Sequence, residues 1–413
     1  MDREAVRRLL RRCREEAERL RPLVAPDPPA AEGEYDEAIT RAYARVRSRR
    51  PEIRGVSRRL VERGLELLRS RPLDEAAAEL RGTPLVEALL QRSFEERYRD
   101  PGAMLELALF ARLGADHLKP GEHEPEVIAD LQARAWAELG NAHRVNGDLG
   151  AAAHAFTVAE ERLARGTGNL LLLARLAELR ASLLSSRRLF SDACGLLESV
   201  HRIYESLGDR HLAGRALVKL GIYTDYYGEP AEGMRLLKRG LADLDRERDP
   251  ALVVSATENL LELMVRCGEY GRARRVLLES GLRRALEGQP LNLLKLRWVE
   301  GHILAGLGRP ARAEVAFEEV RAGFQEHGLT YRAAIAGLDL AAVWLEQGKA
   351  EPVEELAKEM LATFRGLGIQ REALRALDYL NRACGSRQAT PGLVRRVGRF
   401  LRDLEREPQL RFA

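Results

Sequence analysis

Few residues of the chain have the types and spacing needed for chemistry. His117, Glu122, His123 and Glu124 lie in the segment DHLKPGEHEP, where imidazole and carboxylate groups could hold a metal ion. The two histidines are six residues apart in a segment that contains proline and glycine. They therefore lack the i,i+4 spacing that places two ligands on one face of a helix. We predict a solvated loop here and no metal site.

Motifs for catalysis are absent from the sequence. It contains no G-x-S-x-G, no phosphate-binding G-x-x-x-x-G-K-[ST], no H-E-x-x-H and no C-x-x-C. Adjacent glutamates occur at positions 160–161, 318–319 and 354–355. Exposed helix faces explain these pairs better than a buried acid–base dyad does. We predict that the protein is not an enzyme, has no catalytic residue and needs no cofactor.

The elements that must position any functional residue are clearest in segment 135–159, AWAELGNAHRVNGDLGAAAHAFTVA. Two runs with helical spacing are separated by the turn sequence NGD. Gly140 on the first run and Ala152 on the second would allow the two helix backbones to approach closely. Trp136 and Phe156 would fill the space beside that contact. One such pair cannot bury its own apolar face, so neighbouring pairs are required.

The same pattern recurs with a period of about 40 residues. The turn is marked in successive copies by Gly147, Arg188, Gly228, Gly268, Gly308 and Gly348. The small position of the first helix is occupied by Gly140, Ala181, Gly221, Leu261, Gly301 and Ala341. The small position of the second helix is occupied by Ala152, Ala193, Gly233, Ala273, Ala313 and Val353, and the large position after it by Phe156, Leu197, Leu237, Leu277, Phe317 and Ala357. These columns predict six consecutive helix pairs.

The order W-x2-L-G-x2-H-x8-A-x3-F-x2-A resembles a tetratricopeptide repeat (TPR). Since the common TPR length is about 34 residues, the additional residues should lengthen the second helix or the loop after it. Residues from about 85 to 384 also resemble the repeat half of bacterial regulators that carry an N-terminal helix-turn-helix domain. The resemblance implies an all-α fold, a right-handed α-solenoid whose first helices line a concave groove for a protein or peptide.

The resemblance also implies which residues line that groove. They are Arg134, Asn141, Arg144, Arg175, Arg215, Asp225, Tyr226, Glu258, Glu262, Lys295, Trp298 and His302, with Ile335, Leu338, Ala342 and Leu345 ending the series. Asn141 matches an asparagine with which many TPR proteins hold a ligand's backbone amide. Ala137 stands where a lysine helps other members to clamp a C-terminal carboxylate, so that clamp is not expected.

The groove charges favour one kind of partner. Arg134, Arg144, Arg175 and Arg215 would suit an acidic or phosphorylated segment. An alternative is that the charged residues of the groove pair with each other across adjacent helices. For Trp298 the alternative is packing against the neighbouring repeat.

Composition restricts location and partners. The chain has 413 residues, with 67 basic and 63 acidic side chains, and its net charge of +4 does not indicate a nucleic-acid-binding protein. The first twenty residues are charged throughout, and no run of about eighteen apolar residues occurs. The four cysteines lie far apart, as is typical of thiols in a reducing compartment. We predict a cytoplasmic protein with neither a membrane nor nucleic acid as partner.

These observations predict four regions. Residues 1–82 form an N-terminal helical region with a Pro/Ala-rich linker, 83–130 a degenerate repeat and loop, 131–367 the six repeats, and 368–413 capping helices and a tail. The function expected is that of a scaffold or adaptor. The alternative is a regulator that senses a peptide or ligand and acts on transcription or on a partner effector enzyme, including one in a larger assembly.

Overall fold

The computed structural model describes residues 83–97, 100–118, 121, 124–366, 371–385, 387–406 and 411–412. The predicted region 1–82 and His123 lie outside these residues. Throughout the described part of the chain the regular structure is helical and contains no strand. This confirms the all-α prediction.

Seventeen helices are described. They are α1 (Thr83–Glu96), α2 (Pro101–Asp116), α3 (Pro125–Val145), α4 (Leu149–Leu163), α5 (Leu170–Ser186), α6 (Phe190–Ser206), α7 (Arg210–Tyr227), α8 (Pro230–Asp243), α9 (Pro250–Arg266), α10 (Tyr270–Glu279), α11 (Leu282–Ala285), α12 (Pro290–Gly306), α13 (Pro310–Glu326), α14 (Thr330–Glu346), α15 (Glu351–Gly366), α16 (Arg371–Gly385) and α17 (Pro391–Arg406). The chain divides into two compact units, Met1–Asp245 and Arg246–Ala413. Each unit contains three of the six predicted helix pairs.

The 40-residue period follows from the lengths of helices and turns. In the second repeat, α5 and α6 are both 17 residues long, and three-residue turns follow each of them. The two helices and the two turns of this repeat together account for the 40 residues. The expectation that the additional residues lengthen the second helix or the loop after it stays a prediction.

The predicted turn positions adopt the backbone conformation that ends a helix. Gly147, Gly228, Gly268, Gly308 and Gly348 all have positive φ, between 67° and 108°. Arg188 has φ 61°, which is uncommon for a residue with a Cβ atom. A left-handed residue after a helix lets the chain reverse while the last carbonyl groups keep hydrogen-bond partners. The turn column of the sequence thus marks the hairpin turns of the fold.

The close-contact column is also observed. A Cβ atom added at Gly140 would lie 3.0 Å from Phe156 Cε1 and 3.2 Å from the Ala152 carbonyl oxygen. At Gly221 it would lie 2.7 Å from the Gly233 carbonyl oxygen. The first and second helices of these repeats are therefore in backbone contact at the predicted positions. Phe156 and Leu237 beside these contacts are fully buried, and Trp136 is partly buried.

The fourth repeat departs from this regular geometry. Its second helix, α10, ends at Glu279, and Gly281 with φ 68° separates it from the four-residue helix α11. Leu261 occupies the small position of α9 in this repeat. Fewer residues are buried on the first helices α9 and α12 than on the first helices of the other repeats.

The ends of the repeat region differ from the predicted boundaries. Helix α3 begins at Pro125, so residues 125–130 belong to the first repeat and not to the preceding loop. At the other end, α17 packs on α14, and its Val397 and Leu401 are buried in one cluster with Leu338. The groove positions predicted for the sixth repeat, Ile335, Leu338, Ala342 and Leu345, are consequently covered by a helix of the same chain. The four-region organisation itself stays a prediction.

Among the described helices, none has both the length and the apolar character needed to cross a lipid bilayer.

Candidate functional site

The first helices of the repeats in the first unit are joined by polar contacts at one spacing. Arg175 donates to Glu138, Arg215 donates to Glu178, and Lys219 donates to Ser182. In each pair the two residues are 37 positions apart in the sequence. This separation is about one helical turn shorter than one repeat. The predicted groove face is thus a set of side chains that bridge neighbouring first helices.

Glu178 lies at the centre of these contacts. Its side chain is 1% exposed and lies 2.6 Å from Arg215 Nη2, 2.8 Å from Lys219 Nζ and 3.8 Å from Arg175 Nη1. Arg175 also contacts Glu138 Oε1 at 2.8 Å. We call these five residues, Glu138, Arg175, Glu178, Arg215 and Lys219, the Glu178 cluster.

The electrostatics of the Glu178 cluster favour fully charged side chains. Burial alone would raise the pKa of Glu178, but Arg215, Lys219 and Arg175 outweigh burial, and the pKa lies well below its usual range. Burial raises the pKa of Tyr204, which shares a hydrogen bond with Arg215. A buried carboxylate with three cations is stable only when every charge has a partner.

This arrangement concerns two of the four arginines for which an acidic partner is predicted, and the acidic partner itself stays a prediction. The guanidinium groups of Arg175 and Arg215 are occupied by carboxylates of the chain itself. Pairing across adjacent helices, the alternative that the sequence left open, is what the structure shows for these two residues. The reason is that a 40-residue repeat brings Glu and Arg on successive first helices within hydrogen-bond distance.

The remaining predicted positions of the first unit lie on the same helices. Asn141 is 5% exposed, and its Oδ1 accepts hydrogen bonds of 2.8 and 3.2 Å from Arg144. Arg134 lies near Glu87. Burial raises the pKa of Glu87 above its ordinary value, and Arg134 opposes part of this shift. Asp225 is half-buried near the end of α7. Tyr226 is 41% exposed, with its ring 5.4 Å from that of Phe190.

In the second unit, Trp298 and His302 are held within the protein and do not form an open aromatic site. Trp298 Nε1 donates to Asp339 Oδ2 at 2.8 Å, and His302 Nε2 lies 3.1 Å from the same oxygen. Arg402 of α17 contacts Asp339 at 3.2 Å. Burial would raise the pKa of Asp339, but His302 and Arg402 hold it well below its usual range. The alternative of packing against the neighbouring repeat is therefore correct for Trp298.

The three other predicted residues of this unit surround a cavity. Glu258, Glu262 and Lys295 line a space of about 220 Å³ between α9 and α12. Glu262 and Lys295 are exposed at its rim, whereas Glu258 is half-buried. Burial raises the pKa of Glu258, Lys295 lowers it, and Glu262 raises it further, so that the pKa lies above its ordinary value. We call this the Glu258 cavity.

Sequence reasoning missed several residues of these sites, namely Glu138, Lys219, Tyr204, Asp339 and Arg402. The recurring 37-residue offset could have indicated the contacts of Glu138 and Lys219, since it follows from the repeat length. No periodic signal relates Asp339 to Arg402, because Arg402 belongs to a helix outside the repeats.

The loop considered for metal binding has no completed site in the part that is described. His117 Nδ1 contacts the Leu113 carbonyl oxygen at 2.8 Å. Among the described residues, no group of three His, Cys, Asp or Glu side chains is placed to hold a metal ion.

Solved structures resemble the fold, and two of them match most of this chain. One is a Rap protein complexed with competence and sporulation factor, with 13% identity and a TM-score of 0.51, and the match covers 78% of this chain and 92% of that chain. The other is the apo form of RapI, with 11% identity and a TM-score of 0.56, covering 79% of this chain and 99% of that one. No protein-family model matches the chain, and no curated protein matches it. At these identities the likeness concerns the fold alone, a TPR-like array of helical hairpins.

Proposed function

We propose that the protein is a non-catalytic scaffold or adaptor that binds a protein or peptide on the first-helix faces of its repeats. Polar and charged side chains concentrate on these faces, whereas the contacts between first and second helices are apolar. The structural neighbour that is complexed with competence and sporulation factor supports a binding role for this type of fold. A cytoplasmic location belongs to the same proposal and rests on the sequence.

One observation carries the proposal, namely the mixed surface of α7. Arg215, Lys219, Ile222 and Tyr226 follow the spacing i, i+4, i+7 and i+11, so they lie on one face of that helix. The first three are partly exposed and Tyr226 is exposed. The adjacent Tyr227 is 57% exposed. Aromatic side chains beside fixed charges are typical of the energetic centres of protein interfaces.

Peptide selection would test this proposal directly. Peptides selected from a display library against the full chain should bind wild-type protein, and Ile222→Ala with Tyr226→Ala should weaken binding by about tenfold or more. Binding would be measured by fluorescence anisotropy. The matched control is Arg235→Ala on the exposed surface of α8, where the side chain pairs with Glu232 of its own helix. Equal losses in both variants would contradict binding at the first-helix face.

A regulatory role is the second candidate. It is favoured by the similarity to a Rap protein that was solved with a bound factor, over 92% of that chain. The resemblance to the repeat half of helix-turn-helix regulators would add transcription as the regulated process, but residues 1–82 lie outside the described part. If the regulator interpretation is correct, a selected peptide should change the affinity of the chain for its partner protein. An unchanged affinity at saturating peptide would favour the simple adaptor.

A further inference from the structure

The Glu258 cavity occupies the same place in its repeat as the Glu178 cluster does in the second repeat. Glu178 and Glu258 are two repeats apart in the 40-residue register, and both lie on a first helix. The same register therefore identifies the residues of the fourth repeat that correspond to the cation partners of Glu178. Arg175 corresponds to Ser255, Arg215 to Lys295, and Lys219 to Val299.

All three corresponding residues line the cavity. Serine replaces the first arginine and valine replaces the lysine, so two of the three cations are missing. Lys295 keeps a positive charge, but its Nζ contacts Asn292 Oδ1 at 3.1 Å and forms no ion pair with Glu258. The cavity is thus the space that long cationic side chains fill around Glu178.

In the described part of the chain, Glu258 lacks the close cation that three other carboxylates of the first helices have. Glu138 and Glu178 have ion-pair partners within 3 Å. Asp339 receives its cation from Arg402, which comes from α17 and not from a repeat. Within the described residues, no cationic group lies within ion-pair distance of Glu258. Asp339 shows that an element outside the repeats can supply a missing cation.

We infer that the Glu258 cavity binds a cationic side chain, an arginine guanidinium or a lysine ammonium, carried by a partner protein or peptide. The inference rests on the proposed function, because it names the chemistry of the partner. Glu258 lines the cavity, and Ser255 and Val299 stand where two of the three cations stand around Glu178. A half-buried carboxylate in this position favours a cation, and a guanidinium matches the planar geometry of a carboxylate.

The cavity has suitable dimensions for such a side chain. The volume of the cavity, about 220 Å³, is several times the roughly 30 Å³ that one water molecule occupies in the liquid. Ser255, Glu262 and Lys295 are exposed at the rim, so a side chain can enter from solvent. A divalent metal ion fits less well, because Ca²⁺ takes six to eight oxygen ligands and Mg²⁺ requires nearly octahedral geometry.

The test uses N-acetyl-arginine amide as the probe and N-acetyl-citrulline amide as its neutral isostere. Binding to the full chain would be followed by NMR titration. The arginine amide should bind, and the citrulline amide should bind at least about tenfold more weakly, because it lacks the charge. Glu258→Gln should weaken binding of the arginine amide by a similar factor. Equal binding of the two amides to wild-type protein would overturn the inference.

A second variant does not depend on removing the carboxylate. Ser255→Arg places an arginine at the position that corresponds to Arg175 of the Glu178 cluster. The new side chain should fill the cavity and therefore abolish binding of the arginine amide. The control is Glu354→Gln, which alters an exposed carboxylate of α15 that pairs with Lys358. Melting temperatures of all variants should remain near that of wild type. Unimpaired binding to folded Ser255→Arg protein would overturn the inference.

Failure of this inference is distinguishable from failure of the proposed function. If selected peptides bind the α7 face, contain no basic residue and are insensitive to Glu258→Gln, the inference fails and the proposed function stands. If no peptide is selected, the proposed function is contradicted, whereas Glu258-dependent binding of the arginine amide still supports the cavity. Tighter binding of the diamine putrescine than of either the arginine or the corresponding lysine amide would overturn the assignment to a side chain.

Discussion

The second and fourth repeats place a glutamate at the same position of their first helices, and the surroundings give the two residues opposite properties. Glu178 is enclosed by Arg175, Arg215 and Lys219, and its pKa is depressed. Glu258 faces a cavity, and its pKa is raised. One repeat has used the carboxylate to join neighbouring helices. The other has left it accessible to a group from outside.

The comparison shows how a repeat protein can acquire a site at a position that another repeat uses for an ion pair. The first helices α5 and α9 have the same length, whereas Ser255, Lys295 and Val299 stand at the positions of Arg175, Arg215 and Lys219. Shorter side chains remove both the volume and the charge that complete the Glu178 cluster. A structural ion pair and a binding cavity are therefore alternative outcomes at one position of the first helix.

The largest expected effect is on the stability of the first unit. Glu178→Gln should lower the free energy of unfolding by about 3 kcal/mol, because it leaves Arg215 and Lys219 without their buried anion. Urea denaturation followed by circular dichroism would measure this. The matched variant Glu258→Gln should change the same quantity by no more than about 0.5 kcal/mol. Similar losses in both variants would break the distinction between a structural and an accessible glutamate.

A second prediction concerns the close backbone contact of the third repeat, which the fourth repeat lacks at Leu261. Gly221→Ala should cost about 1–3 kcal/mol, since the new Cβ atom would lie 2.7 Å from the Gly233 carbonyl oxygen. The control is Gly195→Ala in α6, where no atom lies within 4 Å of the added Cβ. That variant should be neutral or gain about 0.5–1 kcal/mol from helix propensity. Thermal unfolding would measure the stability of both variants. If Gly195→Ala lowered the stability more than Gly221→Ala does, tight packing at Gly221 would be contradicted.

The smallest effect is a pH dependence of opposite sign for the two glutamates. The lowered pKa of Glu178 gives stability that is present above its unfolded pKa of about 4.5 and is lost as pH falls through the folded pKa. The difference between wild type and Glu178→Gln should therefore shrink below about pH 4.5.

For Glu258 the raised pKa means that ionisation opposes folding, with Lys295 reducing and Glu262 increasing the effect. Glu258→Gln should thus gain at most about 0.5 kcal/mol at pH 7 and nothing near pH 4. Denaturation curves at both pH values would measure the gain. A gain that grows as pH falls would contradict the raised pKa.

Sequence by itself determined the helix pairs, their turns and their apolar contacts. Gly140, Ala152 and Phe156 encode a contact between two helices that are adjacent in the chain, so residue size at fixed spacing is sufficient to predict it. The glycine turns repeat for the same local reason. The turns that follow the second helices also contain regularly spaced glycines. Their residues Gly168, Gly208, Gly288 and Gly328 all have positive φ. Arg248 replaces glycine in that column, next to the division of the chain at Asp245 and Arg246.

Only the tertiary structure decided which polar residues of the first helices are available. The type and spacing of Arg175, Glu178 and Glu258 were visible in the sequence, but an arginine on a helix face is equally compatible with solvent, a partner or a neighbouring carboxylate. The distance of 2.6 Å between Arg215 and Glu178 depends on how two successive hairpins pack. The contact of Arg402 with Asp339 spans 63 residues and depends on where α17 docks. Such contacts are set by the packing of helices that are distant in the chain, and the 37-residue offset of the paired side chains is itself a consequence of that packing.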